Sequence, residues 1–230
     1  MRKQFIVHHS ASAVSETGSR FFVFFVTFNP VERLSEKRLM RLPINFPTYR
    51  GRFTDDEFFE FCYQNQVLRL ERDEDGQIYL RAPVGTKNNI KTVEIITEVA
   101  LWNRQYNAGV VTESNGGFTL PDTSVRAPDV AWISNERWNS VPEDDKNKCA
   151  RISPDFVIEL MSDRDERYWL PAKMEKYLQN GVRLAWLIDP FQQQTTIYRP
   201  DVEPEIKTFA EALTGDAVLP GLELNLSLLL

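Results

Sequence analysis

Two carboxylates in the second half of the chain have the residue types and the surroundings of a metal site. Asp129 follows Pro128 at the start of an apolar run, residues 130–133, and Glu159 interrupts the apolar run 156–161. Because an isolated charge in an apolar interior is costly, Glu159 must be paired, protonated or coordinated to a cation. Two carboxylates on neighbouring strands suit Mg²⁺ or Mn²⁺, which prefer oxygen ligands. The pair therefore predicts a divalent metal site suited to phosphodiester hydrolysis.

Lys173 is the predicted source of positive charge beside this site. It falls in the first turns of a predicted helix, residues 168–180, which follows the strand of Glu159 and tolerates a proline near its start. Lys173 borders the apolar stripe of that helix, whereas Lys176 points elsewhere. The stripe consists of Leu170, Met174, Tyr177 and Leu178. A lysine in this place can orient an attacking water or stabilise developing negative charge.

The elements that position these residues can be predicted from periodicity and turn signals. A capping box, Thr54 with Glu57, begins a helix over residues 55–65. The apolar spacing of Ile90, Val93, Ile96 and Ala100 predicts a second helix over 87–103. Strands are predicted at 67–71, 77–81, 110–113, 117–120, 130–133, 156–161, 183–188 and 194–198. The strand–helix–strand unit at 155–188 implies a right-handed parallel crossover, and hairpins on either side make the sheet mixed. The predicted fold is α/β with a central mixed β-sheet flanked by helices.

Residues 1–39 differ in composition from the rest of the chain and are interpreted as an atypical N-terminal extension. We expect Met40 to be the natural start and residues 40–230 to form one domain. A strand at 21–28 is the alternative for the extension, and this apolar stretch is too short to cross a bilayer. Cys62 and Cys149 show no zinc spacing and are expected to be free thiols in the cytoplasm.

The overall charge argues mildly against a nucleic-acid partner. The formal net charge is −6 and the sequence pI about 5.1, whereas affinity for nucleic acid depends largely on Lys and Arg. A local basic groove around an acidic metal site remains compatible with this composition.

The motif residues resemble a known nuclease pattern. Pro128-Asp129 with Glu159 resembles the signature of the PD-(D/E)xK nuclease superfamily. The run from Pro154 to Ser162, followed by Lys173, Tyr177, Gly181 and the run from Trp186 to Pro190, resembles the Uma-two family, described as putative bacterial restriction endonucleases and abundant in cyanobacteria. The resemblance covers roughly residues 44–226. It implies a restriction-endonuclease-like fold and metal-dependent hydrolysis of DNA, with a homodimer as the expected assembly.

The resemblance also implies roles for individual residues. Asp129 and Glu159 would bind Mg²⁺ or Mn²⁺, with the main-chain carbonyl of Leu160 as a further ligand. Met161 occupies the position where the superfamily pattern has its lysine, and the role passes to Lys173. Glu71 would assist and ranks above Glu94 as the supporting acid.

Each candidate residue also has a purely structural interpretation. Asp129 can be a turn residue, because Pro and Asp are common in turns. Glu159 can pair with an arginine such as Arg183, and Lys173 can be a solvated helix lysine. Taken together, in the order and spacing of the family, these three residues favour the metal site. For Glu71 alone, a solvent-exposed charge at the end of a hairpin is the favoured interpretation, and Arg126, Arg151 and Arg164 are expected to be ordinary surface arginines.

Two rival functions stay open at this stage. The chain can be a relative without catalytic activity that binds DNA or protein, with Met161 marking the lost activity. It can also be an RNA nuclease or nucleotide hydrolase that uses the same metal site.

Overall fold

The computed structural model describes residues 53–65, 68–81, 83–162 and 169–230, together with three two-residue strands nearer the N-terminus. The chain divides into two compact units, residues 1–37 and 38–230. In the first unit, β1 (Ala13–Val14) pairs with β2 (Arg20–Phe21) in antiparallel fashion. The alternative strand at 21–28 lies almost entirely outside the described residues. The division into an extension and a domain at residue 40 stays a prediction.

The second unit contains the remaining elements. In chain order they are β3 (Pro43–Ile44), α1 (Asp55–Gln64), β4 (Arg69–Arg72), β5 (Ile78–Arg81), α2 (Thr86–Tyr106), β6 (Gly109–Glu113), β7 (Phe118–Thr119), β8 (Val125–Arg126), β9 (Val130–Ser134), α3 (Asn135–Ser140), α4 (Glu143–Lys146), β10 (Phe156–Leu160), α5 (Trp169–Gln179), β11 (Leu184–Asp189), β12 (Gln194–Arg199), β13 (Val202–Thr208), β14 (Leu213–Thr214), β15 (Glu223–Leu224) and a 3₁₀ helix (Leu226–Leu229). No helix in the described ranges combines the length and the apolar character needed to cross a membrane.

A six-stranded mixed sheet forms the centre of this unit, in the order β13-β12-β11-β10-β9-β6. Strands β10 and β11 run parallel, with Phe156 opposite Leu184 and Leu160 opposite Ile188. Every residue of both strands is buried, as their nearly continuous apolar runs predict for strands covered on both faces. Helix α5 makes the crossover between them, so the predicted strand–helix–strand unit and mixed sheet are confirmed.

Helix α2 is confirmed, but the apolar spacing used to predict it does not mark its buried face. Ile90 is 56 % exposed and Val93 is 52 % exposed, whereas Ile95, Val99 and Trp102 are buried. The helix carries two apolar stripes, and tertiary packing selects between them. The buried stripe packs into the core on one side of the large sheet together with the C-terminal segment, where Trp102 Nε1 donates to the carbonyl of Pro220 at 3.1 Å.

A smaller five-stranded sheet has the order β3-β5-β4-β8-β7. Its predicted hairpin is confirmed, since β4 pairs with β5 and Glu71 lies opposite Tyr79. Helix α1 begins with the predicted capping box between Thr54 and Glu57. Strand β8 was missed because it has only two residues, too few for any periodicity. It joins β4 through the pair Arg72 and Val125, which brings the chain just before Asp129 next to Glu71.

We expect the central strand β10 to carry much of the stability of this unit. Ile158→Ala removes a fully buried side chain and should lower the free energy of unfolding by about 2–5 kcal/mol, because the surrounding core relaxes only partly. Urea denaturation at neutral pH measures this difference. Ile206→Ala is the matched control in strand β13, since its side chain is 61 % exposed, and it should cost less than about 1 kcal/mol. Equal losses in the two variants would contradict the described burial.

Candidate active site

The register of two central strands positions the two predicted metal ligands. Strands β9 and β10 are antiparallel, with Ile158 opposite Val130. Asp129 directly precedes Val130 and Glu159 directly follows Ile158, so the two acids lie at the same end of this ladder. The backbone N–H of Leu160 donates to Asp129 Oδ2 at 2.9 Å, which fixes the aspartate at the start of β9. The carboxylates therefore stand on neighbouring strands, as the sequence pattern predicts.

Lys173 reaches this pair from the helix above the sheet. Its Nζ lies 2.7 Å from Glu159 Oε1 and 3.0 Å from Glu71 Oε1. Only 5 % of Lys173 is exposed, so the alternative of a solvated helix lysine is wrong. Lys176, on another face of α5, instead forms an ion pair with Glu74. Helix α5 thus places one of its two central lysines in the interior and the other at the surface.

Two aromatic side chains complete the surroundings of the lysine. Tyr177 lies one helical turn after Lys173 and donates its hydroxyl to Glu159 Oε1 at 2.9 Å. Burial and the negative charge of Glu159 raise the pKa of Tyr177 well above its usual value, so the phenol stays a donor. The ammonium lies 5.6 Å from the ring centre of Trp169 and 5.7 Å from that of Tyr177. Both distances are within the range of cation–π attraction.

Glu71 is a buried member of the same cluster. Only 2 % of it is exposed, which corrects the interpretation of an exposed hairpin charge. Its Oε1 lies 3.4 Å from Arg81 and accepts the backbone N–H of Ala127 at 3.3 Å, and its Oε2 lies 3.6 Å from Arg126. Burial alone would raise the pKa of Glu71, but the charges of Lys173, Arg81 and Arg126 outweigh it and lower the pKa to about 2.

Two arginines connect this cluster to its surroundings. Arg81 bridges two acids, because Nη2 lies 3.1 Å from Asp129 Oδ1 while Nη1 is close to Glu71. Arg126 is only 6 % exposed, so its interpretation as an ordinary surface arginine is wrong. Its Nη2 lies 3.7 Å from Glu74, and its guanidinium lies 5.9 Å from the ring centre of Trp169.

Glu159 differs from Glu71 in its electrostatics. Burial raises its pKa, and the nearby charges of Asp129 and Glu71 act in the same direction. Lys173 and Arg81 lower the pKa, but they do not offset the other contributions. The surroundings of Glu159 therefore disfavour its ionised form, whereas those of Glu71 favour it.

The oxygen donors of Asp129 and Glu159 match what Mg²⁺ requires, since one or two carboxylates with substrate phosphate and water suffice. In the described part of the chain, no group of three or more His, Cys, Asp or Glu side chains is arranged to hold a metal ion. Glu71 faces three cationic side chains instead. By donor chemistry the Asp129–Glu159 pair suits such an ion, and metal binding there stays a prediction, whereas Glu71 contacts cations only. The structure places the N–H of Leu160 against Asp129, and its carbonyl stays a predicted ligand.

Other sequence alternatives are resolved by burial and pairing. Arg183 lies 3.5 Å from Asp155 and Glu159 pairs with Lys173, so the predicted alternative of a Glu159–Arg183 ion pair is wrong. Glu94 is exposed on α2 and does not belong to the cluster. Arg151 is a surface residue that pairs with Asp55 and Asp145. Arg164 lies outside the described residues.

Sequence reasoning missed the roles of Arg81, Arg126 and Tyr177. A signal existed for Tyr177, because a residue four positions after Lys173 lies on the same helix face. No comparable signal existed for the arginines. Arg81 meets Asp129 across 48 positions in the chain, and only the pairing of short strands brings them together.

The mixed sheet and the carboxylate pair with its helix lysine define a restriction-endonuclease-like protein. The family model Uma2, described as "putative restriction endonuclease", matches residues 55–227. The chain therefore belongs to this family, and the resemblance stated from its motifs is confirmed. Its fold is also similar to a crystal structure described as a putative nuclease belonging to DUF820 from Anabaena variabilis ATCC 29413. The TM-score is 0.61 at 21 % identity, over 77 % of this chain and 97 % of that one. No curated protein is significantly similar to the chain.

The depressed pKa of Glu71 predicts a pH-dependent contribution to stability. An acid whose pKa is lowered on folding stabilises the protein above its unfolded value and loses this contribution as the pH falls through the folded value. At neutral pH, Glu71→Gln should cost of the order of 3 kcal/mol, because it leaves buried cations without their partner. The difference from the parent should shrink as the pH falls from about 4.5 towards about 2.

Chemical denaturation of both proteins across this pH range measures the difference. Glu94→Gln is the matched control, since this glutamate is exposed on α2 and its replacement should cost little at any pH. A cost for Glu71→Gln that stays constant down to the lowest pH would show that Glu71 is not the ionised partner of these cations.

Proposed function

We propose that this chain is a metal-dependent endonuclease that hydrolyses DNA phosphodiester bonds. The observation that carries the proposal is the contact of 2.7 Å between Lys173 Nζ and Glu159 Oε1. It places a buried lysine from helix α5 against the carboxylate whose strand, β10, also contacts Asp129 through the N–H of Leu160. A nuclease needs this combination of acid pair and cation at the scissile phosphate.

In this proposal each residue has a separate task. Asp129 and Glu159 hold Mg²⁺ or Mn²⁺, with the Leu160 carbonyl as a further ligand. The bound metal would polarise the phosphate and lower the pKa of a coordinated water. Lys173 orients that water and stabilises the negative charge that develops on the phosphate. Glu71 holds Lys173 and Arg81 in place through its buried oxygens.

The residue at the usual lysine position supports the transfer of the role to Lys173. Met161 is buried and belongs to the core cluster that also contains Met174 and Tyr177 of α5. It therefore supplies no charge, whereas Lys173 contacts the acid pair directly at Glu159. An acidic chain is compatible with this site, because Lys173, Arg81 and Arg126 concentrate positive charge at the acids.

We also expect the chain to act in the cytoplasm and as a homodimer, since cutting both strands of DNA calls for two active sites. Sedimentation analysis of the purified full chain at several concentrations measures the assembly. A monomer at all concentrations would contradict the expected dimer without affecting the proposed chemistry.

Nicking of supercoiled plasmid tests the proposed activity. The parent should convert plasmid to open circles with Mg²⁺ or Mn²⁺ and stay inactive with a chelator. Glu159→Gln and Lys173→Met should each lower the rate at least about 100-fold, the scale of losing one preorganised charge at the reacting group. Lys176→Met is the matched control on the same helix, since Lys176 pairs with Glu74 and its side chain is 40 % exposed. It should keep near-parental activity.

A folded parent that binds metal but does not nick DNA would contradict the proposed nuclease activity. It would favour the alternative of a protein that binds DNA or protein without cleaving it. Competition by RNA and by nucleotides would separate the remaining hydrolase alternatives. If Lys173→Met kept activity and Glu159→Gln lost it, the proposed metal ligands would stand and the proposed role of Lys173 would be wrong.

Metal binding without turnover separates the roles of the acids and the lysine. Lys173 Nζ lies 2.7 Å from Glu159 Oε1, so a bound metal would compete with the ammonium group for this carboxylate. Lys173→Met should therefore bind Mn²⁺ at least as tightly as the parent, although it no longer cleaves DNA. Glu159→Gln should bind Mn²⁺ about tenfold more weakly or worse, as loss of a ligand-shell group implies. Electron paramagnetic resonance of free Mn²⁺ measures both affinities, and weaker binding by Lys173→Met would contradict the competition.

A further inference from the structure

A cavity of about 160 Å³ lies beside the active site, on the face of the large sheet that α5 covers. We call it the hairpin cavity, because the loop between β11 and β12 forms one of its sides. Its apolar wall consists of Met161, Pro171 and Leu187, and its polar wall of Gln192, Gln194 and Thr196. Apolar surface on one side and hydrogen-bonding groups on the other are the usual composition of a small-molecule site.

The sheet register connects this cavity to the proposed catalytic pair. Glu159 lies opposite Leu187, and Leu187 lies opposite Thr196, so the three residues form one row across β10, β11 and β12. Met161 is two residues after Glu159 and continues the ladder through its N–H to Ile188 O at 2.8 Å. Two residues of strand span about 7 Å. The cavity is therefore within one nucleotide of a phosphate held at Glu159.

The hairpin holds two amide side chains in a defined arrangement. Asp189 Oδ1 accepts the N–H groups of Phe191 at 2.8 Å and Gln192 at 3.0 Å, which fixes the turn. Gln193 adopts a left-handed conformation, with φ of 51°, uncommon for a residue other than glycine. Across the turn, Gln194 donates its amide to Gln192 Oε1 at 2.6 Å.

This bond uses one donor and one acceptor of the amide pair. The amino group of Gln192 and the Oε1 of Gln194 have no hydrogen-bond partner among the residues that the structure describes. The exposed Gln192 thus offers a donor and the half-buried Gln194 an acceptor, and each can meet a polar atom at the edge of a nucleobase, the kind of group that glutamine amides bind. Asp189 also lines the cavity.

We propose that the hairpin cavity binds one unpaired nucleobase of the substrate, and that Gln192 and Gln194 read its hydrogen-bonding edge. Because the cavity would set the base preference of cleavage, this proposal rests on the proposed nuclease function. The flat apolar faces of the base lie against Met161, Pro171 and Leu187. The cavity is partly open to solvent and its volume suits one base, so a base must leave the duplex stack to enter it, and the nucleotide is single-stranded or turned out of the helix. The glutamine pair thus makes cleavage depend on the base next to the scissile phosphate.

Nucleoside binding tests the cavity apart from catalysis. Saturation-transfer NMR of the full chain with adenosine, guanosine, cytidine and thymidine uses ligands without phosphate or metal. We expect one or two of the four to bind, and Gln194→Leu to weaken that binding about tenfold, the scale of one lost bidentate pair. Thr196→Phe should abolish binding by filling the cavity. Gln105→Leu, at an exposed glutamine of α2, should bind as the parent does, and thermal melts verify folding of each variant.

Absence of binding by the folded parent to all four nucleosides would overturn the proposal. Binding that Gln194→Leu and Thr196→Phe leave unchanged would overturn it as well, because the nucleoside would then occupy another place.

Cleavage of a randomised single-stranded DNA pool, with sequencing of the new ends, tests the specificity role. The parent should prefer one base beside the cut, and Gln194→Leu should reduce that preference about tenfold. Nucleoside binding without any nicking would support base binding in the cavity and contradict the nuclease function. Nicking without nucleoside binding or base preference would keep the nuclease and reject the cavity's proposed role.

Discussion

The buried contact of Lys173 with Glu71 and Glu159 is the interaction on which the arrangement of the unit depends. Each partner comes from a different layer, with Glu71 on the small sheet, Glu159 on the large sheet and Lys173 on the helix above it. Removing one member of a buried ion pair leaves an uncompensated charge in a low-dielectric interior. The three layers are therefore held in one relative position by a polar contact, although apolar packing supplies most of their stability.

The two glutamates in this cluster have opposite electrostatic character because their neighbours differ. Glu71 faces Lys173, Arg81 and Arg126, and these charges lower its pKa despite full burial. Glu159 has Asp129 and Glu71 nearby, which add to the effect of burial and raise its pKa. The first is consequently a fixed anchor for cations. The second is a carboxylate whose ionised form is disfavoured by its surroundings, so its contact with Lys173 has the larger electrostatic demand to meet.

The features that were predictable from the sequence are those with a local signal. Continuous apolar runs identified β10 and β11, and the outlier Glu159 within such a run identified the site. Two apolar stripes on α2 carried equal local signals, and packing against the C-terminal segment decided between them. Arg81 and Arg126 belong to strands of four and two residues. Their contacts with Asp129 and Glu71 depend on strand pairing across distant parts of the chain, which no local period reveals.

The position of Lys173 shows that the positive charge beside Glu159 can come from either of two places in the chain, the strand end at position 161 or helix α5. A side chain at position 161 lies on the same face of the sheet as Glu159, since residues two apart in a strand share a face. Lys173 reaches the same carboxylate from α5, so position 161 is released from carrying charge. Met161 then serves as apolar wall for the hairpin cavity. An amine at 161 would instead place a cation between the acids and the two glutamines, where a neutral base could no longer pack. With the cation supplied from the helix, one strand end carries both Glu159 and an apolar wall of the hairpin cavity.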